Sequence, residues 1–177
     1  MTLYMHCIES PIGGLGLVVD DGGRLVRIAF LSDGDDDLAV ALERYFDRGD
    51  QLVEDAAKTA HVEQQLAEYF RGGRREFDLE LAPRGTDFQQ QVWRDLLEIP
   101  AGETRTYSEI AQRLGRPGAS RAVGRANATN PIPIIVPCHR VIGANGTLTG
   151  YAGGLPIKQD LLALEGGNGM LPFAAAE

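Results

Sequence analysis

The spacing of apolar residues changes once along the chain, and that change limits the folds open to it. Over the first 30 positions apolar residues fall in short runs, Leu3–Ile8, Leu15–Val19 and Leu25–Phe30, separated by SPIGG and by Asp20-Asp21-Gly22-Gly23. Short apolar runs closed by turn residues predict three strands in an antiparallel meander. From Asp87 onward the spacing is helical. Phe88, Val92, Leu96 and Ile99 line one stripe of a helix over Asp87–Ile99, with Trp93 beside it. Strands followed by helices imply an α+β chain.

Two helices complete the first half. One runs over Asp37–Phe46, with the acidic run Asp33–Asp37 at the end where the helix dipole favours negative charge. The other, Thr59–Phe70, carries Val62, Leu66, Tyr69 and Phe70 and ends at Arg71-Gly72-Gly73. Residues 72–86 change character, with glycines, Pro83, charges and one alternating run, Phe77–Leu81. The boundary falls there: a domain over 1–80, a linker over 81–86, a second domain over 87–167 and a loose tail over 168–177.

In the second half Pro100-Ala101-Gly102 breaks the first helix. Thr106-Tyr107-Ser108-Glu109 then matches a capping box and opens a helix to about Leu114. After the turn Gly115-Arg116-Pro117-Gly118 comes Ala119–Ala128, rich in Ala and Arg. Two short helices around a glycine turn, the second small-residued and basic, form a helix-turn-helix pattern. Beyond the apolar run Pro131–Pro137, which reads as a buried strand, Gly143–Gly146 is a turn that forms a wing with Thr147–Tyr151. Pro156–Glu165 is a last helix.

The net charge of −8 argues against a polyanionic partner until its distribution is examined. Residues 1–80 carry a net −9 and residues 81–177 a net +1. Five arginines and one acid lie between Arg105 and Arg125, a local +4 that matters more to a phosphate backbone than the whole-chain sum. A solvated helical face has the same composition. No apolar run approaches the roughly 20 residues that span a bilayer, and the N-terminus lacks a secretory pattern. Two distant cysteines do not suggest a disulfide framework; a cytoplasmic protein with reduced thiols is expected.

The chemistry concentrates at "PIPIIVPCHRVIG". A thiolate is a nucleophile, and a histidine beside it is a candidate base. On a regular strand Cys138 and His139 point to opposite faces, so they cooperate only if the chain turns, which Pro137 favours. Arg140 adds positive charge nearby. The alternative is a buried structural cysteine. A base needs an orienting acid. Asp160, Glu165 and Glu177 lie downstream, and Glu165 ends an apolar helix where the dipole disfavours a carboxylate.

The runs "NPIPIIVPCHRVIG", "GYAGGLPIKQDLLALEG" and "VWRDLLEIPAGETRTYSEIAQRLGRPGASRAVGRANATNP" closely resemble the methylated-DNA–protein-cysteine methyltransferases, which repair O6-alkylguanine. The resemblance covers about Phe88–Gly167. It implies an N-terminal RNase H-like layout and a C-terminal winged helix-turn-helix domain that carries the active site. Cys138 would accept the alkyl group irreversibly, once per molecule, from O6-alkylguanine and also O4-alkylthymine flipped out of double-stranded DNA. His139 would be its base through a water, Glu165 would hold His139, and Asn130 would fix the active-site loop. Tyr107 would donate to the guanine ring and crowd the phosphate that rotates.

Further roles follow from the same resemblance. Arg121 would fill the space left by the extruded base, with Ala122 and Gly124 allowing close approach of the helix. Arg125, Arg116, Thr106 and Ser108 would contact DNA. Tyr151, Ala152, Gly153, Val141 and Trp93 would wall the base pocket, Val141 through its carbonyl; Trp93 also reads as core. Asn127 stands where some members carry an apolar residue. Some relatives bind zinc in the N-terminal domain, but here His6, Cys7 and His61 are the only candidate ligands outside the active site, and His6 and Cys7 alternate faces on a strand, so no metal is expected. No cofactor and no membrane partner are expected, with a monomer when free and clustering of copies on DNA. His139 and Glu165 are expected to lower the pKa of Cys138. Two other readings use the same residues: a DNA-binding regulator with an inert cysteine, and a thiol hydrolase, for which no oxyanion-hole motif is visible.

Overall fold

Alternating and continuous apolar runs produce a four-stranded sheet in the first part of the chain. In the computed structural model, which describes residues 1–33, 35 and 37–166, strands β1 (Thr2–Ile8), β2 (Leu15–Asp20), β3 (Leu25–Phe30) and β4 (Gln51–Glu54) pair in the order β3-β2-β1-β4. The first three form the expected meander, with Leu3 opposite Asp20 and Leu15 opposite Phe30. The register slips between Val18 and Val19. The short strand β4 was not anticipated. It runs parallel to β1, with Thr2 opposite Gln51, and makes the sheet mixed. Its four residues, QLVE, offer too little pattern to be read as a strand.

Every residue of β2 is buried, as a central strand covered on both faces must be. Leu3, Met5, Val18, Val26 and Ala29 form one cluster with Leu42, from helix α1 (Leu38–Glu43). Helix α2 (Ala56–Phe70) packs on β1 and β2 through a face that buries Val62, Leu66 and Tyr69. Asp37 and Asp55 cap the two helices with their carboxylates, each accepting two backbone amides of the first turn. Both helices therefore start where a capping side chain sits: α1 is shorter than expected, and α2 begins three residues earlier. Phe77–Leu81 is not a strand; Leu81 only bridges to Leu25.

The chain divides into two compact units, Met1–Arg84 and Gly85–Glu177. In the second, α3 (Asp87–Leu96), α4 (Tyr107–Arg113) and α5 (Ser120–Ala128) pack mutually. Thr86 with Gln89, and Thr106 with Glu109, form complete capping boxes at the starts of α3 and α4. Trp93 is 2% exposed, and its indole N–H donates to the Ala126 carbonyl at 2.8 Å, tying α3 to α5. Gly85 is required beside it, because a Cβ there would overlap the indole ring. Strand β5 (Arg105–Thr106) pairs in parallel with β6 (Val141–Ile142), and α6 (Leu155–Gly166) closes the unit, burying Leu161 and Leu162. The tail 168–177, including Glu177, lies outside the described residues.

The run Pro131–Pro137 is buried but is not a strand. Three prolines remove three of its amide donors, so a ladder cannot form. Ile134 also adopts a left-handed backbone, φ 75°, which a β-branched residue takes only under constraint. Asn130 supplies that constraint. Its Nδ2 donates to the Val136 carbonyl at 2.8 Å, and its Oδ1 accepts the Ile132 amide at 3.0 Å. The segment is a folded loop that delivers Cys138 at its end.

Candidate active site

The turn that cooperation between Cys138 and His139 requires is present. Cys138–Arg140 form a single turn of 3₁₀ helix, and the Arg140 amide donates to the Pro137 carbonyl at 3.0 Å. All three side chains are buried. His139 and Arg140 meet α6, whose buried residues Lys158, Leu161, Leu162 and Glu165 recur at positions i, i+3, i+4 and i+7. His139 Nε2 lies 2.6 Å from Glu165 Oε1. Arg140 holds the same carboxylate, Nη2 on Oε1 at 2.7 Å and Nε on Oε2 at 3.0 Å, while its Nη1 donates to the Ile99 carbonyl at 2.6 Å. His139 Nδ1 is buried and has no protein partner.

The charges follow from these contacts. Burial alone would raise the Glu165 pKa, but His139 and Arg140 outweigh it and hold the carboxyl well below the usual carboxylate range. Burial lowers the pKa of His139, against the pull of Glu165 and with help from Arg140 and Lys158. The resting pair is thus an anionic Glu165 and a neutral imidazole. An anionic carboxylate only accepts, so Nε2 carries the ring proton and Nδ1 is the free basic atom.

The expected lowering of the Cys138 pKa does not occur. Burial pushes the thiol up to about 11, against smaller opposing effects from Asn130, Lys158 and Tyr151. The expectation took His139 as positive; a neutral imidazole offers the thiolate no charge. At neutral pH the sulfur is a protonated thiol with a base nearby.

Two polar residues of the site were overlooked in the sequence. Lys158 is fully buried, and its Nζ donates to the carbonyls of Val141 at 2.7 Å and Thr149 at 3.2 Å. Burial brings its pKa down to about 8. The Val141 carbonyl, expected to meet a base, therefore already accepts one bond and keeps a single lone pair for another. Thr149 is the second: its Oγ1 lies 2.6 Å from the Tyr107 hydroxyl. Lys158 could have been found from its place on the apolar stripe of α6. Thr149 gives no sequence signal.

The remaining expected residues divide by placement. Tyr151 is half-buried and begins the turn Tyr151–Gly154, closed by the Gly154 amide on the Tyr151 carbonyl at 2.9 Å. Ala152 and Gly153 lie on that turn, Ala152 exposed. Trp93 supports α5 from beneath, as described above. Among the arginines, Arg113 is committed to Asp95 at 2.9 Å, and Arg105 reaches the Glu98 carbonyl at 3.4 Å. Arg121 and Arg125 are exposed, one turn apart on α5, and Arg116 is exposed with its guanidinium 5.4 Å from the Phe88 ring. Ala122 is half-buried on the same helix. Thr106 and Ser108 share a hydrogen bond at 3.2 Å at the start of α4. Gly124 does not simply face outward, since a Cβ there would meet the Tyr107 ring at 3.9 Å. Asn127 is buried, and its Nδ2 donates to the Cys138 carbonyl at 3.4 Å.

Comparison with known proteins places the chain in a family. The family model described as the 6-O-methylguanine DNA methyltransferase DNA binding domain matches residues 87–167, and that of the ribonuclease-like domain of the same proteins matches 3–83. A methylated-DNA–protein-cysteine methyltransferase of Methanosarcina mazei is 52% identical over 166 residues, which is 94% of this chain and 99% of that protein. The chain belongs to the methylated-DNA–protein-cysteine methyltransferase family. Another member, from Mycobacterium tuberculosis, is 48% identical over 92% of each chain. The crystal structure of the Mycobacterium tuberculosis OGT in complex with DNA superposes with a TM-score of 0.80 at 47% identity, over 95% of this chain and 94% of that one. In this methyltransferase family, then, the N-terminal sheet is the ribonuclease-like part, and the helices α3–α6 with the cysteine turn are the DNA-binding part.

Proposed function

We propose that the protein repairs O6-alkylguanine in double-stranded DNA by moving the alkyl group to Cys138. The observation that carries this is a buried thiol placed on one turn with a neutral, carboxylate-held imidazole whose second nitrogen is free. As sulfur attacks the alkyl carbon, the S–H proton passes to His139 Nδ1, through a water, and the carbon–oxygen bond breaks. Its electron pair stays on guanine, which takes up a proton. Because the thiol pKa stands near 11, sulfur does not wait as an anion; deprotonation accompanies attack. Tyr107, at the start of α4, is the donor toward the leaving guanine.

The target carbon is hidden in a stacked duplex, so the base must be extruded, at a cost of about a few kcal/mol. Arg121 offsets part of that by entering the stack, while Arg125 and Arg116 meet phosphates. Tyr151, Ala152 and Gly153, with the remaining lone pair of Val141, wall the pocket. The test is intact mass after incubation with an O6-methylguanine duplex. We expect one added methyl on the wild type and none on Cys138→Ala, which should still bind DNA. A methyl on the Ala variant, for example on Cys7, overturns the assignment.

A further inference from the structure

We propose that Arg140 is a positioning residue for alkyl transfer: its guanidinium clamps Glu165 and the segment just beyond α3 so that His139 is held with Nε2 on the carboxylate and Nδ1 free. The inference rests on the proposed transfer to Cys138. Four observations meet here. Arg140 donates to both oxygens of Glu165, and its third nitrogen donates to the Ile99 carbonyl, just beyond α3. The fork thus spans α6 and the end of α3, a geometry that a point-charge ammonium cannot reproduce. The carboxylate it holds also meets His139 Nε2 at 2.6 Å. The opposite ring nitrogen is buried without a protein partner.

These contacts divide the work. A carboxylate alone beside a buried imidazole would favour a resting imidazolium, which cannot take a proton from the thiol. Burial is the main opposing force, and the guanidinium adds to it while leaving the hydrogen bond that orients the ring. The charged and titratable groups around the imidazole are Glu165 and Lys158 from α6, and Arg140 and Cys138 from its own turn. Arg140 donates directly to the carboxylate. Lys158 spends its hydrogen bonds on the Val141 and Thr149 carbonyls.

The experiment compares wild type, Arg140→Met and Arg140→Lys in single-turnover transfer from free alkylguanine, followed by intact mass from pH 5 to 9. The free base removes DNA binding from the measurement. Loss of the guanidinium should raise the His139 pKa, so in Arg140→Met the acid limb of the rate profile should move to higher pH. The plateau should fall about ten- to a hundredfold, as for other partners that orient a functional imidazole. Arg140→Lys keeps the charge and loses the fork: its limb should stay near that of the wild type while its plateau falls. If Arg140→Met does not fold, Arg140→Lys decides. A lysine variant with the wild-type plateau overturns the proposal, as does a folded Arg140→Met whose rate falls with an unmoved limb, which would mark a purely structural role. A wild type that never alkylates Cys138 would instead refute the transfer reading.

Discussion

Replacing Asn130 should separate the loop's stability from its chemistry. Asn130→Ala removes one donor and one acceptor at once, leaving the Ile132 amide buried and unpaired, while the Val136 carbonyl still accepts the Cys138 amide at 2.8 Å. The orphaned amide costs about 1–3 kcal/mol and the lost bond to Val136 about 1 kcal/mol, so a loss of about 2–4 kcal/mol is expected. For a unit of this size, about 4 °C per kcal/mol, the melting temperature should fall by roughly 8–16 °C. Asn130→Asp keeps the acceptor for Ile132 but sets a carboxyl oxygen against the Val136 carbonyl, in place of a donor at 2.8 Å. Burial and that carbonyl raise the folded pKa of the new carboxyl above its unfolded value of about 4. Its stabilising contribution is thus complete below pH 4 and is lost as pH rises through the folded pKa. Relative to wild type at each pH, the Asp variant should be least impaired in acid and increasingly impaired toward neutrality, whereas the Ala deficit should vary little. Thermal unfolding by circular dichroism between pH 4 and 8 measures both. An Asn130→Ala melting temperature within about 3 °C of the wild type would refute the idea that Asn130 holds the loop.

Further outcomes follow from the site. With the thiol near pKa 11, alkylation of Cys138 by a small electrophile should keep rising with pH beyond 9; a plateau near pH 7, read by peptide mass mapping, would reveal a preformed thiolate. Arg121→Ala should slow repair of duplex DNA far more than reaction with free alkylguanine, which needs no extrusion. Equal slowing of both would make Arg121 a support of the pocket. Loss of Arg125 or Arg116 should weaken duplex binding and lower its salt slope by about one unit each, measured by fluorescence anisotropy.

The parts of the site legible in the sequence are those with local causes. The Thr106–Glu109 cap, the meander and the stripe of α6 depend on neighbours within a few residues. Cys138, His139 and Glu165 were recognisable from residue type and motif, and the misfit of Glu165 at a helix end was itself a signal. What escaped depended on contacts distant in sequence. Strand β4 exists because β1 offers it an edge. The apolar content of Pro131–Pro137 marked burial correctly, but its prolines, weighed for the turn at Pro137 alone, also rule out a ladder. The rise of the thiol pKa and the neutral state of His139 both come chiefly from burial, which residues 25 and 41 positions away from Arg140 help to create and which no local pattern shows.

The left-handed Ile134 has a consequence for the state in which the site exists. A β-branched residue at φ 75° resists that conformation by about 1–2 kcal/mol, so an isolated Pro131–Pro137 segment has no reason to adopt it. The shape comes from the local bonds of Asn130 at the close of α5 and from the burial of Ile132, Ile134 and Ile135, which needs neighbouring elements. The cysteine turn is therefore a property of the packed domain and not of its own segment. In a partly unfolded chain Cys138 is an ordinary exposed thiol, and its burial beside the Glu165–His139–Arg140 cluster belongs only to the packed domain.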